Sequence, residues 1–376
     1  MRGFAILNKK REPGKDQWEK LFDLARNYAQ AKPWELFSDM DLFALSRPST
    51  QELVFPLIMG CGGEFFGLSF YRGETGLVHY SLAQSEMEPD NPLFLAMYNN
   101  LLLSFMERRY LEKHDIVLPG ISEVRIKRRK MWPQYRKMGC MRVNSGITKE
   151  EADLFIEMIP LVLEVVDLAR SNSKFLEVFD EKPIPLLLKN EAGHWVSANL
   201  QNIPGAMDIL EPPQLMGSRD ADMLGSLEIR EDKWQLGWKV APAFFGNDPQ
   251  DMASIAVMHI VDKETGVPRQ FRTISPDQPE DLWIDFWREL VSMIKEEKFL
   301  PSVIEVSDPW VAEAIKPLGD LGIRIVEREF LPELEAVFDF VFSRMPRDGQ
   351  NDRVKSYGIL RYSLLTGPLG GKNIVR

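Results

Sequence analysis

The residues best suited to binding chemistry lie in one strongly basic segment, residues 124–142. Eight Lys or Arg side chains occur there without an intervening Asp or Glu. Cations of this kind neutralise phosphates, and interleaved aromatic rings can stack on bases. The segment therefore predicts a surface for nucleic acid or another polyanion. Its candidate residues are Arg125, Lys127, Arg128, Arg129, Lys130, Trp132, Tyr135, Arg136 and Lys137.

The same segment has a purely structural interpretation. Its cations could balance acidic helices of the same domain, while Trp132 and Tyr135 anchor it to the core. A short basic run is weak motif evidence, so both interpretations stay open.

A second set of candidates consists of carboxylates in the C-terminal part of the chain. Asp308 directly follows a predicted strand at 303–306, where converging acids could hold two metal ions for hydrolysis. Acids of the final predicted helix could join it: Glu333, Glu335 or Asp339. The first strand of this part, 234–241, supplies no acid, and Asp308 precedes Pro309 as a helix N-cap residue does. Asp308 is thus a weak metal-ligand candidate, and no metal site is predicted.

The thiols and imidazoles indicate no further site. Cys61 lies in a Gly-Cys-Gly-Gly turn at 60–63 that lacks the phosphate-loop pattern, and a structural role is expected for it. Cys140 is expected to be a second free thiol. The four histidines are scattered without metal-ligand spacing, and no nucleotide-binding or nucleophile-elbow motif occurs. The sequence therefore predicts no cofactor.

Composition indicates a globular protein with several cores. The 376 residues are 44% hydrophobic and 27% charged, and they contain neither an apolar run long enough to cross a bilayer nor an export signal. A cytoplasmic location is expected. Basic and acidic residues cancel in 1–173, so the net charge of −10 lies entirely in 174–376. Because an acidic surface repels phosphates, that part of the chain is not expected to bind nucleic acid.

Periodicity predicts an N-terminal domain of helices and strands. Helices are expected at 15–30, 74–82, 92–111 and 149–170, the last starting at a Thr148–Glu151 capping box. Strands are expected at 42–45, 53–59 and 65–71, a loop-rich stretch at 114–146, and a hairpin at 184–189 and 195–200.

The C-terminal part predicts a second domain. Strands at 227–230, 234–241, 254–261 and 268–274 precede alternating helices and strands at 280–298, 303–306, 309–319, 323–326 and 332–344. The expected organisation is an N-terminal α+β domain with long buried helices over 1–203, a Pro/Gly-rich linker over 204–225, a C-terminal α/β domain over 226–345 and a tail over 346–376. The fold class is thus α+β or α/β, with a mixed sheet and helices in each domain.

Two parts of the chain resemble known families. Residues 33–43 and 59–71 resemble an uncharacterised bacterial domain of unknown function, and residues 226–345 resemble a second such domain that often accompanies the first. Neither family carries an assigned activity, so the resemblance supports the domain division and adds no catalytic residues. The element order over 234–344 is also similar to the ribonuclease-H-like fold, whose enzymes cluster acids around two metal ions.

These observations predict a non-catalytic intracellular binding or scaffolding protein that has no membrane association and could bind a protein partner. The alternative is a metal-dependent nuclease or other phosphotransfer-type enzyme with a degenerate acidic site. The missing acid on strand 234–241 favours the binding protein.

Overall fold

A computed structural model describes residues 12–84, 90–180, 184–190, 192–200, 210–243, 245 and 253–345. The predicted tail and the first part of the predicted linker, 204–209, lie outside these residues.

The N-terminal sheet is mixed and large. Its strands are β1 (Ala44–Ser46), β2 (Leu53–Met59), β3 (Phe66–Arg72), β4 (Asn100–Met106), β5 (Val124–Ile126), β6 (Arg129–Gly139), β7 (Arg142–Ser145), β8 (Pro185–Lys189) and β9 (Trp195–Asn199). They are ordered β5-β6-β4-β3-β2-β1-β8-β9, and β7 pairs with β6. All these pairs are antiparallel except β1 with β8.

Helices cover both faces of this sheet. Helices α1 (Lys15–Ala31), α2 (Gly73–Ala83), α3 (Pro92–Ala96), α4 (Lys113–Ile116) and α5 (Lys149–Ser171) belong to the domain. Side chains alternate along β2, so that Val54 and Ile58 pack with α1 and α5 while Phe55 and Leu57 face the opposite way. The long helix α5 begins at the predicted Thr148–Glu151 capping box.

The predicted helix at 92–111 is wrong beyond its first turn. Asn91 caps α3 through a hydrogen bond from the Leu93 amide, as its type and the following proline indicate. The chain then enters β4, which is buried along its whole length between β3 and β6. A strand buried on both faces shows a continuous apolar run, which periodicity cannot distinguish from a buried helix.

The predicted loop-rich stretch 114–146 is also wrong, because it contains α4 and strands β5 to β7. Buried Val124, Ile126 and Met131 alternate with exposed cations, which is a strand pattern with one polar face. The high charge of the polar face concealed this alternation.

The C-terminal sheet has the predicted mixed form. Its strands are β10 (Glu228–Val240), β11 (Ala256–Asp262), β12 (Pro268–Ile274), β13 (Phe299–Val306) and β14 (Arg324–Glu327), in the order β12-β11-β10-β13-β14. The first three strands are antiparallel, and β13 and β14 continue the sheet in parallel with β10. The predicted fold class is therefore confirmed, whereas the likeness to ribonuclease H stays a prediction.

The predicted linker contains regular structure in its described part. Helix α6 (Ser218–Gly225) packs against α7 (Asp281–Glu297), and Leu224 is fully buried. The Trp287 indole nitrogen donates a hydrogen bond to Asp220 over 3.2 Å. Short elements of this kind escape periodicity analysis, because two helical turns contain too few apolar positions to define a face.

Both domains contribute to one apolar cluster. It runs from one face of the N-terminal sheet, through α2 and α3, to α7 and α8 (Pro309–Ile315). Helix α9 (Pro332–Arg344) covers the other face of the C-terminal sheet. Backbone hydrogen bonds cross the boundary, including Val240 N to Asp90 O at 2.8 Å and Ser254 N to Met141 O at 2.7 Å.

Gly76 lets α2 approach the sheet closely. A Cβ atom at this position would lie 2.8 Å from the carbonyl carbon of Tyr71 and 3.0 Å from the carbonyl oxygen of Asn99. We therefore expect Gly76→Ala to lower the free energy of unfolding by roughly 1–3 kcal/mol, because overpacking against backbone outweighs alanine's helix propensity. Urea denaturation would measure it. In the control Gly62→Ala the added atom meets nothing within 4 Å, and equal losses in the two variants would refute the steric argument.

Candidate functional site: a basic hairpin

Strands β5 and β6 form a hairpin with a tight turn. Ile126 pairs with Arg129, so the loop consists of Lys127 and Arg128 alone. Their φ angles are 45° and 68°, as a type I′ turn requires. Such turns normally contain Asn and Gly, because the Cβ atom of other residues makes positive φ unfavourable.

The exposed side of this hairpin is cationic. We call the five exposed side chains Arg125, Lys127, Arg128, Arg129 and Lys130 the basic hairpin. Arg125 and Lys130 face each other across the strands, although like charges in that position repel. Lys130 forms an exposed ion pair with Glu123 at 3.1 Å. No carboxylate of the described residues pairs with the other four cations.

Two arginines missed by the sequence analysis extend this surface. Arg108 and Arg109 are exposed on a 3-10 helix, Arg108–Tyr110, next to β6. The Arg108 guanidinium lies 5.8 Å from the ring centroid of Trp132, which is half-buried. Because this segment was predicted as the end of a helix, nothing in the pattern placed it beside the basic run. The sequence feature that could have identified this site is the pair of adjacent arginines directly after an apolar run.

The structure buries Tyr135 and Arg136 and places Lys137 apart from the predicted surface. The Tyr135 ring is buried edge-to-face against Phe155, and its hydroxyl donates to the Leu21 carbonyl over 2.6 Å. Arg136 is buried against Asp115, and Lys137 pairs with buried Glu151 at 2.6 Å. Tyr135 and Arg136 therefore support the fold, whereas the Lys137 side chain is 38% exposed and lines a cleft instead of the hairpin.

A buried charge cluster joins α4 to the part of β6 that follows the basic hairpin. Asp115 is 1% exposed and accepts hydrogen bonds from Arg136 Nη2 at 2.5 Å and Gln134 Nε2 at 2.8 Å. The Nε2 atom of His114 lies 3.1 Å from the other carboxylate oxygen. Burial alone would raise the pKa of Asp115, but the bonds to His114 and Arg136 hold it well below its usual range.

The charge state of His114 should make stability pH-dependent. Burial opposes its protonation, but hydrogen bonds to Asp115 and Glu112 prevail and raise the pKa of His114 to about 9. Because the folded-state pKa lies above the unfolded value of about 6.5, the stabilisation is complete below that pH and disappears as pH rises through 9. We expect a loss of about 1–2 kcal/mol, allowing for solvent screening. Urea denaturation at several pH values in this range measures the loss. If the stability of His114→Gln fell by the same amount over this range, the loss would not come from His114.

Asp308 is fully engaged as a structural residue. Its Oδ1 atom accepts a hydrogen bond from the Trp310 amide at 2.9 Å, which caps α8. Its Oδ2 atom accepts from Asn91 Nδ2 at 3.0 Å and from Trp238 Nε1 at 3.1 Å. Asp308 therefore joins α8 to β10 and to the N-terminal domain.

The other predicted acids do not gather around Asp308. Glu333 accepts a hydrogen bond from Gln235 on β10 over 2.7 Å, and Glu335 pairs with Lys239 at 2.8 Å. Within the described ranges, no group of three or more His, Cys, Asp or Glu side chains could hold a metal ion. The nuclease alternative stays a prediction, and this arrangement adds no observation in its favour.

The thiols and buried histidines are not arranged for nucleophilic chemistry. Burial raises the pKa of the Cys61 thiol, and the charge of Asp39 adds to this effect. Cys140 is a buried free thiol. Burial lowers the pKa of His79 to about 3, and its ring packs 4.3 Å from that of Tyr98. His79 is therefore a neutral core residue.

No helix within the described residues is long and apolar enough to cross a membrane.

Fold and site together define a two-domain α/β protein with a cationic surface hairpin and, in its described part, no assembled metal-binding cluster. Comparison with known families agrees with this division. Residues 18–186 match the family described as Domain of unknown function (DUF7309). Residues 224–342 match the family described as Domain of unknown function (DUF6930). No curated protein matches the chain.

Proposed function

We propose that this is a non-catalytic binding protein whose basic hairpin takes a polyanion, with nucleic acid as the preferred ligand. One observation carries the proposal. Five exposed cations lie on one short hairpin, and four of them have no ion-pair partner among the described residues. Unpaired cations gathered on one surface favour phosphate contact, because binding releases the counterions condensed on the nucleic acid.

The local energetics support a binding role over a structural one. The φ angles of Lys127 and Arg128 cost of order 1 kcal/mol each or more, and Arg125 opposes Lys130 across the strands. Neither feature stabilises the hairpin. Strain and repulsion at one place are typical of a surface selected for a ligand.

The position of the hairpin suits contact with a phosphate backbone. Strand β5 is at the edge of the N-terminal sheet with one face buried, and the cations of the exposed face would meet phosphates along the surface of a duplex. Trp132 is half-buried beneath the Arg108 guanidinium, so it offers less stacking surface than a free aromatic ring. We therefore expect phosphate contacts to dominate and base stacking to be secondary.

The charge distribution of the chain would orient such a ligand. The acidic excess of −10 lies entirely in residues 174–376, which include the C-terminal sheet. A phosphate backbone is repelled by that surface and attracted by the basic hairpin. An acidic protein would be steered in the same way. In the scaffolding version of this proposal, such a protein is the partner.

Salt dependence tests the proposal. The affinity for a short fluorescent DNA duplex is measured by anisotropy at several salt concentrations. If about five phosphates are contacted, the logarithm of the association constant should fall with the logarithm of salt with a slope of about −4.5. The constant should then drop by a factor of roughly 10²–10³ between 50 and 200 mM salt. Absence of binding to DNA, RNA and heparin at the lowest salt would refute polyanion binding.

A further inference from the structure

A cleft of about 540 Å³ lies where the two domains meet. The N-terminal domain contributes the end of β6, strand β7 and the start of α5, and the C-terminal domain contributes residues 277–280 before α7. Cavities of this volume at a domain boundary are the usual location of small-molecule sites. Its lining is largely polar and charged, so an apolar ligand would not fit it.

The lining of this cleft carries both signs of charge. The N-terminal domain presents the cations Lys137 and Arg142, the carboxylate of Glu12, and Thr148 at the N-terminus of the 23-residue helix α5. The C-terminal wall presents the carboxylates of Asp277 and Glu280, and both residues are exposed. Arg142 spans the cleft and reaches Asp277 at 3.4 Å.

Hydrogen-bonding capacity remains on the N-terminal wall. Lys137 uses one contact on Glu151, and an ammonium group has three donors. Ser145 lines the cleft and is 7% exposed, and its hydroxyl has no hydrogen-bond partner within the described residues. A buried hydroxyl without a partner is costly, so a ligand that supplied an acceptor would lower the free energy of the site.

We propose that this cleft binds a small zwitterion of the α-amino acid type. Its carboxylate lies toward Lys137, Arg142 and Ser145, and its ammonium group lies toward Asp277 and Glu280. A ligand with both groups supplies a charge-assisted partner to the cations of one domain and to the carboxylates of the other, whereas a simple anion or cation would engage only one of them. Such a ligand would touch both domains and would therefore stabilise their contact.

The test is a thermal-unfolding screen of the full chain with each of the twenty proteinogenic amino acids at about 10 mM, followed by calorimetry. At least one amino acid should raise the unfolding midpoint. Its N-acetyl form, which lacks the ammonium charge, and its amide, which lacks the carboxylate, should each bind at least ten times more weakly. Failure of all twenty, or blocked forms that bind as tightly as the free amino acid, would overturn the proposal.

Variants locate the site. Glu280→Gln should weaken binding of the free amino acid at least tenfold and leave the binding of its amine-blocked form unchanged. Arg142→Gln should likewise weaken binding of the free amino acid at least tenfold, and it should leave the binding of the amide, which lacks the carboxylate, unchanged. The control Glu313→Gln changes an exposed acid outside the cleft and should bind like the parent protein. Parent-like binding by both cleft variants would refute this location. Polyanion binding by the basic hairpin is measured separately, and Glu280→Gln should leave that affinity unchanged.

Discussion

Reversing two charges at the tip of the basic hairpin should lower the affinity for a DNA duplex at least roughly 100-fold at low salt. In Arg128→Glu/Arg129→Glu, two unpaired exposed cations become anions, so two phosphate contacts are lost and two repulsions are added. The hairpin should keep its fold, because buried Val124, Ile126 and Met131 anchor it. Fluorescence anisotropy at fixed low salt measures the change, and circular dichroism checks the fold.

A matched control separates local contact from overall charge. Lys15→Glu/Lys316→Glu changes the net charge equally at two side chains that are 71% and 70% exposed and lie elsewhere on the surface. This control should lose only a few-fold in affinity, through the long-range field. Equal losses in the two double variants would mean that the basic hairpin is not the binding surface.

Removing the buried arginine of the same segment should act on stability instead. Arg136→Met leaves the buried Asp115 carboxylate with His114 as its cationic partner, and we expect the free energy of unfolding to fall by about 3 kcal/mol, the lower end of the range for a broken buried pair. Urea denaturation measures this loss. The exposed neighbour Arg125 provides the control, since Arg125→Met should change stability by less than about 0.5 kcal/mol.

A second substitution tests the cause of this loss. In Arg136→Met/Asp115→Asn the carboxylate charge is removed as well, so this double variant should be more stable than the single variant. If the two are equally unstable, the loss comes from packing of the arginine side chain and not from an uncompensated charge.

The long amphipathic helices could be predicted from the sequence, because their periodicity and caps are local signals. Helix α1 was expected at 15–30 and spans Lys15–Ala31; helix α9 was expected and found at 332–344. Strand β4 could not be recognised, since its burial depends on β3 and β6 lying on either side. That neighbourhood is a property of the tertiary structure.

The candidate site also has features that local sequence predicts and features that depend on tertiary contacts. Exposure of the five cations of the basic hairpin follows from a local run of charge beside a turn. Burial of Arg136 depends on Asp115, which is 21 residues earlier in the chain and reaches it only when α4 packs beside β6. Asp308 was correctly favoured as an N-cap from the following proline, but its bonds to Asn91 and Trp238 required the assembled domains.

The apolar cluster that crosses the domain boundary affects how the chain can fold. It joins Phe94 of α3 with Trp234 of β10 and Phe286 of α7 in one continuous interior. Domains that share an interior lose apolar burial when they separate, so neither can open without a cost to the other. The first family match ends at residue 186 and the second begins at residue 224, yet we expect the two parts to unfold together as one cooperative unit.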